Sequence, residues 1–264
     1  MSLLLCIISA LAAACLSKKT VTSKEFQWRH DPSKWSLDRR AWLKEFKEFW
    51  EDDVANGGLQ LSGPITVASA WNDPAIQRYT YFDTADSLVR QHSASLVLRQ
   101  EVYPLASAPT FTVKFNFRDS SLAHAFPMSS VKDGRSKVEE DVYPCYSKYG
   151  RSDKTRVQTG FEPSSFADLK TYFKDPGQWF TATIDPIPSS VDNVRLLKAG
   201  PSTYHYIISF PIKLGSISTK VVLTAWYETL QDALMGGNAT IVESSVRIDV
   251  GRTASLFYLF QHRT

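Results

Sequence analysis

The stretch that decides the fold is QRYTYFDTADSLVRQHSASLVLRQEV, residues 77–102. It predicts a strand ending at Thr84, a short helix, and a second strand over residues 95–101 that carries Arg99. Tyrosine, phenylalanine, threonine and valine favour strands, and the side-chain oxygens of residues 83–86 suit the start of a helix. The two strands are therefore expected to be neighbours in one antiparallel sheet.

Alternating polar and apolar residues predict further strands along the chain. They fall at residues 25–29, 109–117, 135–142, 204–214, 220–230 and 239–250. Turn residues at 215–218 and 236–238 separate the last three strands, which predicts an up-and-down meander.

Helices are predicted outside this sheet. One runs over residues 36–56, with Ser36 as its N-cap and two glycines at 57–58 ending it. Its apolar stripe is expected to pack against the core and consists of Leu37, Trp42, Phe46, Phe49 and Trp50. A short helix is predicted at 163–173 and a C-terminal helix at 251–264.

Composition sets broad limits on fold and partners. Hydrophobic residues make up 43% of the chain and charged residues 22%, which is typical of a folded protein. The net charge of +3 is too small to indicate a nucleic-acid partner. Three cysteines exclude a fold held together by several disulfides.

The turn YFDTAD and the strand LVLR resemble the signature of the CYTH superfamily, the triphosphate tunnel metalloenzymes. Members show a YFDTPD-like turn, a short helix and a strand of the form LRxR. Other stretches follow in the family's order: EFQWR at 25–29 resembles its opening ExExK strand, TVK at 112–114 its TLK, RSKVEED at 135–141 its RxExE, and ESS at 243–245 its closing ExE. The resemblance implies an α+β protein whose residues 20–264 form a single domain. That domain would be a mainly antiparallel closed eight-stranded β-barrel, a tunnel with helices packed outside.

The resemblance also implies a basic tunnel that binds tripolyphosphate, polyphosphate or another organic or inorganic phosphate. The implied substrate-binding residues are Arg29, Arg99, Lys114, Lys137, Lys213, Lys220 and Arg247. The implied ligands of Mg²⁺ or Mn²⁺ are Glu25, Glu139, Asp141 and Glu243. Catalytic roles fall to Glu139 and Lys137. Arginine supplies bidentate contacts to phosphate and lysine a point charge, whereas carboxylates hold the metal.

The sequence departs from the family pattern at several site positions. Gln27 and Ser245 stand where acids are expected, and Val97 replaces one of the two arginines of LRxR. Three function classes stay open: a metal-dependent inorganic triphosphatase, an exported anion-binding protein without turnover, and a structural or interaction barrel. The retained carboxylates favour the first class, and the lost ones favour the second.

The first residues predict export. An apolar run over residues 3–16 precedes Lys18 and Lys19, which fits a signal over residues 1–19. Residues 12–15 also resemble a bacterial lipobox, in which Cys15 would carry a lipid. The chain is therefore expected to be periplasmic, anchored to a membrane only through Cys15, or secreted. A buried N-terminal helix is the alternative.

Overall fold

The computed structural model describes residues 21–56, 65–91, 93–104, 108–117, 135–143, 146–173, 193–215 and 217–249. The predicted export signal, the lipidation site Cys15 and the predicted C-terminal helix lie outside these ranges. The strands are β1 Ser23–His30, β2 Ile65–Val67, β3 Ala75–Asp83, β4 Ala94–Tyr103, β5 Thr110–Phe117, β6 Arg135–Tyr143, β7 Tyr146–Arg156, β8 Leu197–Lys198, β9 Thr203–Leu214, β10 Ile217–Tyr227 and β11 Ile241–Asp249. The α-helices are α1 Pro32–Leu37, α2 Arg39–Glu48, α3 Leu88–Gln91, α4 Phe166–Leu169 and α5 Leu230–Met235, and a π-helix over Phe49–Asn56 continues α2.

Hydrogen bonds join the strands in the order β2-β9-β10-β11-β1-β6-β7-β5-β4-β3-β8, and β9 also pairs with β3. The extra pairing closes nine strands into a barrel and leaves β2 and β8 outside the ring. Neighbours in a ring with an odd number of strands cannot all be antiparallel, so the sheet is mixed. The predicted closed barrel is confirmed, but it has nine strands rather than eight, and it is mixed rather than mainly antiparallel. Among the nine barrel strands, β7 is the one that was not predicted; the short strands β2 and β8 outside the ring were not predicted either.

The chain divides into two compact units, and the dividing point after Glu139 falls within β6. The first unit comprises residues 1–76, 140–147 and 204–264, and the second comprises residues 77–139 and 148–203. The single domain expected over residues 20–264 stays a prediction.

The first unit has an aromatic core on one face of its strands. Trp35 of α1 is fully buried, and its Nε1 donates a hydrogen bond to the Tyr227 hydroxyl over 2.6 Å. Phe46 of α2 stacks on Trp42 at 4.9 Å between ring centroids and also meets the Phe210 ring edge-on. Trp42 and Phe46 of the predicted helical stripe therefore belong to this core, as expected.

The predicted single helix from Ser36 is instead two helices with different caps. Asp31 caps α1 by accepting from the Ser33 backbone N–H at 3.0 Å. Asp38 caps α2, because its Oδ1 accepts hydrogen bonds from the backbone N–H groups of Arg40 and Ala41. Ser36 lies inside α1, and Leu37 is 86% exposed rather than part of the stripe. The carboxylates prevail because each satisfies N–H groups that a helix start leaves unpaired.

The second unit has its own apolar core on one face of β4 and β5. Leu96, Phe111, Val113 and Phe115 are fully or almost fully buried in this cluster, together with Phe166 of α4. The capping predicted for the YFDTAD turn is confirmed: Asp83 Oδ1 accepts from the Val89 N–H, and the Thr84 hydroxyl accepts from the Leu88 N–H, both at 2.8 Å.

The predicted meander is confirmed with shifted ends. β9 pairs antiparallel with β10, and β10 with β11. A short helix that the sequence analysis did not predict, α5, interrupts the connection between β10 and β11. The helix predicted over residues 163–173 is shorter in the structure, where it is α4, Phe166–Leu169. Among the described residues, no helix has the length and apolarity needed to cross a membrane.

Candidate functional site

Strands β1 and β6, neighbours in the sheet, each have one apolar and one polar face. Successive side chains of a strand point to opposite faces. On β1 the residues Glu25, Gln27 and Arg29 alternate with buried Phe26 and Trp28. On β6 the predicted site residues Lys137, Glu139 and Asp141 alternate with Val138, Glu140 and Val142. The polar faces of these strands carry the candidate metal centre.

Three carboxylates converge on this polar face. Ligand oxygens of Glu25, Glu139 and Asp141 all lie within 4.8 Å of one another. Glu139 is 3% exposed and Asp141 is 1% exposed. Burying like charges so close together is unfavourable unless positive charge compensates them. Three of the four predicted metal ligands therefore come together in one cluster.

Two predicted substrate-binding cations supply compensation in the structure. Lys137 Nζ lies 2.5 Å from Glu139 Oε1, and Arg247 Nη2 lies 2.5 Å from Glu25 Oε2. Both cations are partly exposed, at 37% and 48% of their side chains, whereas the carboxylates they contact are mostly covered. Lys137 and Arg247 therefore balance part of the negative charge at this centre, and both also reach solvent.

The cluster fits a divalent cation that prefers oxygen ligands. Carboxylates suit Mg²⁺ and Mn²⁺, and oxygens in an octahedral Mg²⁺ shell lie at most about 4.2 Å apart. The observed spread of up to 4.8 Å exceeds that limit by about 0.6 Å, so the three side chains would have to move slightly closer together to hold the ion. Glu25, Glu139 and Asp141 are the residues that would hold the ion.

Glu243, the fourth predicted ligand, is not part of the cluster. It lies on β11 opposite Arg29 of β1 and Thr224 of β10. Two steps along the same strands, Gln27 lies opposite Ser245. Gln27 and Ser245, the two positions where acids were expected, are thus opposite each other. Neither side chain has a carboxylate that could join the cluster.

A basic polar face occurs in the second unit on β4, β5 and β7. Arg99 lies opposite Thr110, Lys114 lies opposite Ser95 and Ser152, and Thr112 lies opposite Lys154. The Arg99 guanidinium also lies over the Tyr79 ring at 4.9 Å. The register places Arg99 and Lys114 on one face, as the resemblance implied.

Polar atoms on this face find no partner among the described residues. Arg99 Nε and the Thr112 hydroxyl are both buried without a hydrogen bond to the described part of the chain. Lys114 reaches past Gly150 of β7, where an added Cβ would lie only 2.7 Å from Lys114 Cε. The absence of a side chain at Gly150 gives the lysine its room. Buried donors without acceptors favour a bound anion or water at this face.

Further basic residues on β7 escaped the sequence analysis. Lys148, Lys154 and Arg156 share the face of Gly150 and Ser152, because they alternate along KYGRSDKTR. That alternation was visible in the sequence. Arg151 and Asp153 lie between these residues and put charges on the opposite face of β7 as well. The alternation of polar and apolar residues that predicts a strand is therefore missing.

The remaining predicted cations lie in the first unit and are exposed. Arg29, Lys213, Lys220 and Arg247 occupy the polar faces of β1, β9, β10 and β11. Arg247 contacts the acidic cluster through Glu25. The roles of Arg29, Lys213 and Lys220 in substrate binding stay predictions.

The chain is similar to several solved structures. No family model and no curated protein matches this chain. A solved structure from Hippeastrum, described as a candidate adenylyl cyclase with a dominant triphosphatase activity, is 13% identical over 89% of this chain and 84% of its own, with a TM-score of 0.44. A candidate adenylate cyclase from Bacillus halodurans is 12% identical over 90% and 88%, with a TM-score of 0.37. Another from Vibrio parahaemolyticus is 10% identical over 91% and 91%, with a TM-score of 0.34. At such TM-scores we draw no conclusion about family or activity.

Proposed function

We propose that this protein binds tripolyphosphate or a related polyphosphate together with Mg²⁺ or Mn²⁺, and hydrolyses it as an inorganic triphosphatase. The observation that carries the proposal is the buried cluster of Glu25, Glu139 and Asp141, contacted by Lys137 and Arg247. Carboxylates and cations at one centre suit a metal–phosphate ligand, because each charge of the ligand then meets its opposite.

The basic face of the second unit supports the phosphate part of the proposal. Arg99 and Lys114 bring positive charge, and the buried Thr112 hydroxyl offers a further donor. Phosphate oxygens accept several hydrogen bonds at once, and arginine meets them with two parallel ones. We assign these residues to anion binding rather than to chemistry.

Bound Mg²⁺ or Mn²⁺ would supply positive charge to phosphate oxygens and lower the pKa of a coordinated water. Lys137 and Arg247 hold carboxylates in the structure. Released from these carboxylates, their N–H groups would donate to phosphate oxygens instead. Metal and tripolyphosphate should therefore bind more tightly together than separately.

An anion-binding protein without turnover is the second candidate. It is favoured by Gln27 and Ser245, which lie opposite each other where acids were expected, and by the position of Glu243 away from the cluster. Anion affinity needs positive charge, whereas hydrolysis also needs a well-held ion and water. Loss of carboxylates would harm hydrolysis first.

Calorimetry with tripolyphosphate, with and without Mn²⁺, tests the proposal, and phosphate release tests turnover. We expect Glu139→Gln to reduce Mn²⁺ affinity and hydrolysis more than metal-free anion binding. Arg99→Ala and Lys114→Ala should weaken anion binding first. Glu162→Gln is the matched control, because that carboxylate pairs with Lys198 on the surface. No binding under either condition would leave only a structural role, and binding without turnover would favour the second candidate.

We further propose that the protein is exported and that its mature form begins between Cys15 and Lys19. The apolar run before Lys18 supports this proposal. Mass spectrometry of the protein from its native host tests it, and an intact Met1 would contradict it. An added mass of lipid on Cys15 would identify the anchored form.

A further inference from the structure

A buried ion pair lies on the apolar side of β1 and β6. Lys24 Nζ is 2.9 Å from Glu140 Oε2, and the two side chains are only 2% and 10% exposed. Lys24 shares its face of β1 with buried Phe26 and Trp28, and Glu140 stands between two buried valines of β6. Separating such a pair is unfavourable, because the apolar side chains around it exclude the water that would otherwise solvate the two charges.

The members of this pair are chain neighbours of the acidic cluster. Lys24 directly precedes Glu25, and Glu140 stands between Glu139 and Asp141. Since successive side chains point to opposite faces, the ion pair lies on one face of the two strands and the cluster on the other. A single alignment of β1 with β6 therefore sets both.

Alternation of polar and apolar residues does not by itself select that alignment. A shift of one residue would turn the apolar faces outward and is excluded by burial. A shift of two residues keeps every side chain on its face, but it would set Lys24 beside a valine rather than beside Glu140. It would also move Glu25 by about 7 Å relative to β6, more than the 4.8 Å that now spans the cluster.

We propose that Lys24 and Glu140 are a positioning pair that selects the register bringing Glu25 to Glu139 and Asp141. This inference rests on the metal-binding function proposed above. Lys24 and Glu140 lie on the opposite face from the cluster and act through the alignment of the strands.

The test measures two quantities on the full chain: Mn²⁺ affinity by calorimetry, and strand register by nuclear Overhauser contacts between β1 and β6. The variant Lys24→Met with Glu140→Met removes both charges but keeps the burial. We expect it to fold, because replacing both partners with apolar residues is often neutral or stabilising. It should bind Mn²⁺ about 10- to 100-fold more weakly and show a second set of contacts between β1 and β6. Lys24→Glu with Glu140→Lys should restore one register and most of the affinity.

Unchanged Mn²⁺ affinity and a single unchanged register in the doubly apolar variant would overturn the inference. If the parent chain binds no Mn²⁺, the proposed function fails, and the contacts between β1 and β6 alone decide the inference. If the doubly apolar variant does not fold, the charge-swapped variant and Lys24→Arg decide instead. Both must keep the parent register, and a changed register in either folded variant would overturn the inference.

Discussion

At the scale of single residues, the position of a charged side chain can depend on a small neighbouring residue. Lys114 carries a positive charge on the basic face, but its path depends on Gly150 of the neighbouring strand. A methyl group there would lie 2.7 Å from Lys114 Cε and 3.4 Å from its Nζ. Contacts that short force the lysine, which is the more flexible partner, to move.

Gly150→Ala should therefore weaken tripolyphosphate binding without changing any charge. We expect a loss of about tenfold, comparable to one hydrogen bond to a charged group. Calorimetry measures it, and Lys114→Ala provides the matched background. If Gly150 acts through Lys114, Gly150→Ala should have almost no additional effect in that background. An equal loss in both backgrounds would show that Gly150 acts by another route.

At the scale of secondary structure elements, capping decides where the helices of the first unit begin. Asp38 Oδ1 accepts from the backbone N–H of Arg40 at 2.9 Å and of Ala41 at 3.0 Å. Asp38→Ala should lower the free energy of unfolding by about 1 kcal/mol. Urea unfolding measures this change. Glu48→Ala, at an exposed residue of the same helix, is the control and should change stability much less; an equal loss there would contradict the cap's role.

The contact between β1 and α2 should make stability depend on pH. His30 packs edge-on against the rings of Trp42 and Phe46, and its Nε2 is 2.8 Å from the Ser244 hydroxyl. Burial lowers the pKa of His30 from 6.5 to about 4. The unfolded chain therefore binds a proton below pH 6.5 that the folded chain accepts only near pH 4. The contribution of neutral His30 to the free energy of unfolding is complete above pH 6.5 and is lost as the pH falls towards 4.

Between about pH 7 and about pH 4.5 we expect that loss to be about 2 kcal/mol in the free energy of unfolding. Urea unfolding at about pH 7 and at about pH 4.5 measures it. His30→Gln keeps a hydrogen-bonding group but does not titrate, so the variant should lose less stability than the parent between these two pH values. An equal loss in parent and variant would show that other groups cause the pH dependence.

At the scale of the whole molecule, a ligand that binds only the folded chain should stabilise it. Tripolyphosphate with Mn²⁺ at about 100 times its Kd should add about 2.7 kcal/mol, which raises Tm by about 5 to 10 °C. A thermal melt measures this shift. Lys114→Ala should reduce it, whereas Lys198→Ala, at an exposed lysine paired with Glu162, should not. The same shift in all three chains would argue against binding at the basic face.

Local pattern was enough to predict most of the elements. Alternation along residues 135–142 placed Glu139 and Asp141 on one face, and the structure agrees, because the period of a strand is a property of its own backbone. The cap at Asp83 and Thr84 was also predictable from local sequence, because it involves residues close together in the chain. β7 was missed because charged side chains occupy both of its faces, and a period-two pattern is then hidden.

The sequence by itself determined which residues share a face of each strand, and hence which charges were available to a site. Only the tertiary structure decided which strands far apart in the chain are neighbours. Glu25 meets Glu139 and Asp141 because β1 pairs with β6, strands far apart in the chain. Glu243 has the same kind of position on its strand, yet it lies opposite Arg29 and outside the cluster. The physical reason is that pairing and register depend on long-range burial, here including the Lys24–Glu140 ion pair, and such contacts leave no trace in the period of a single strand.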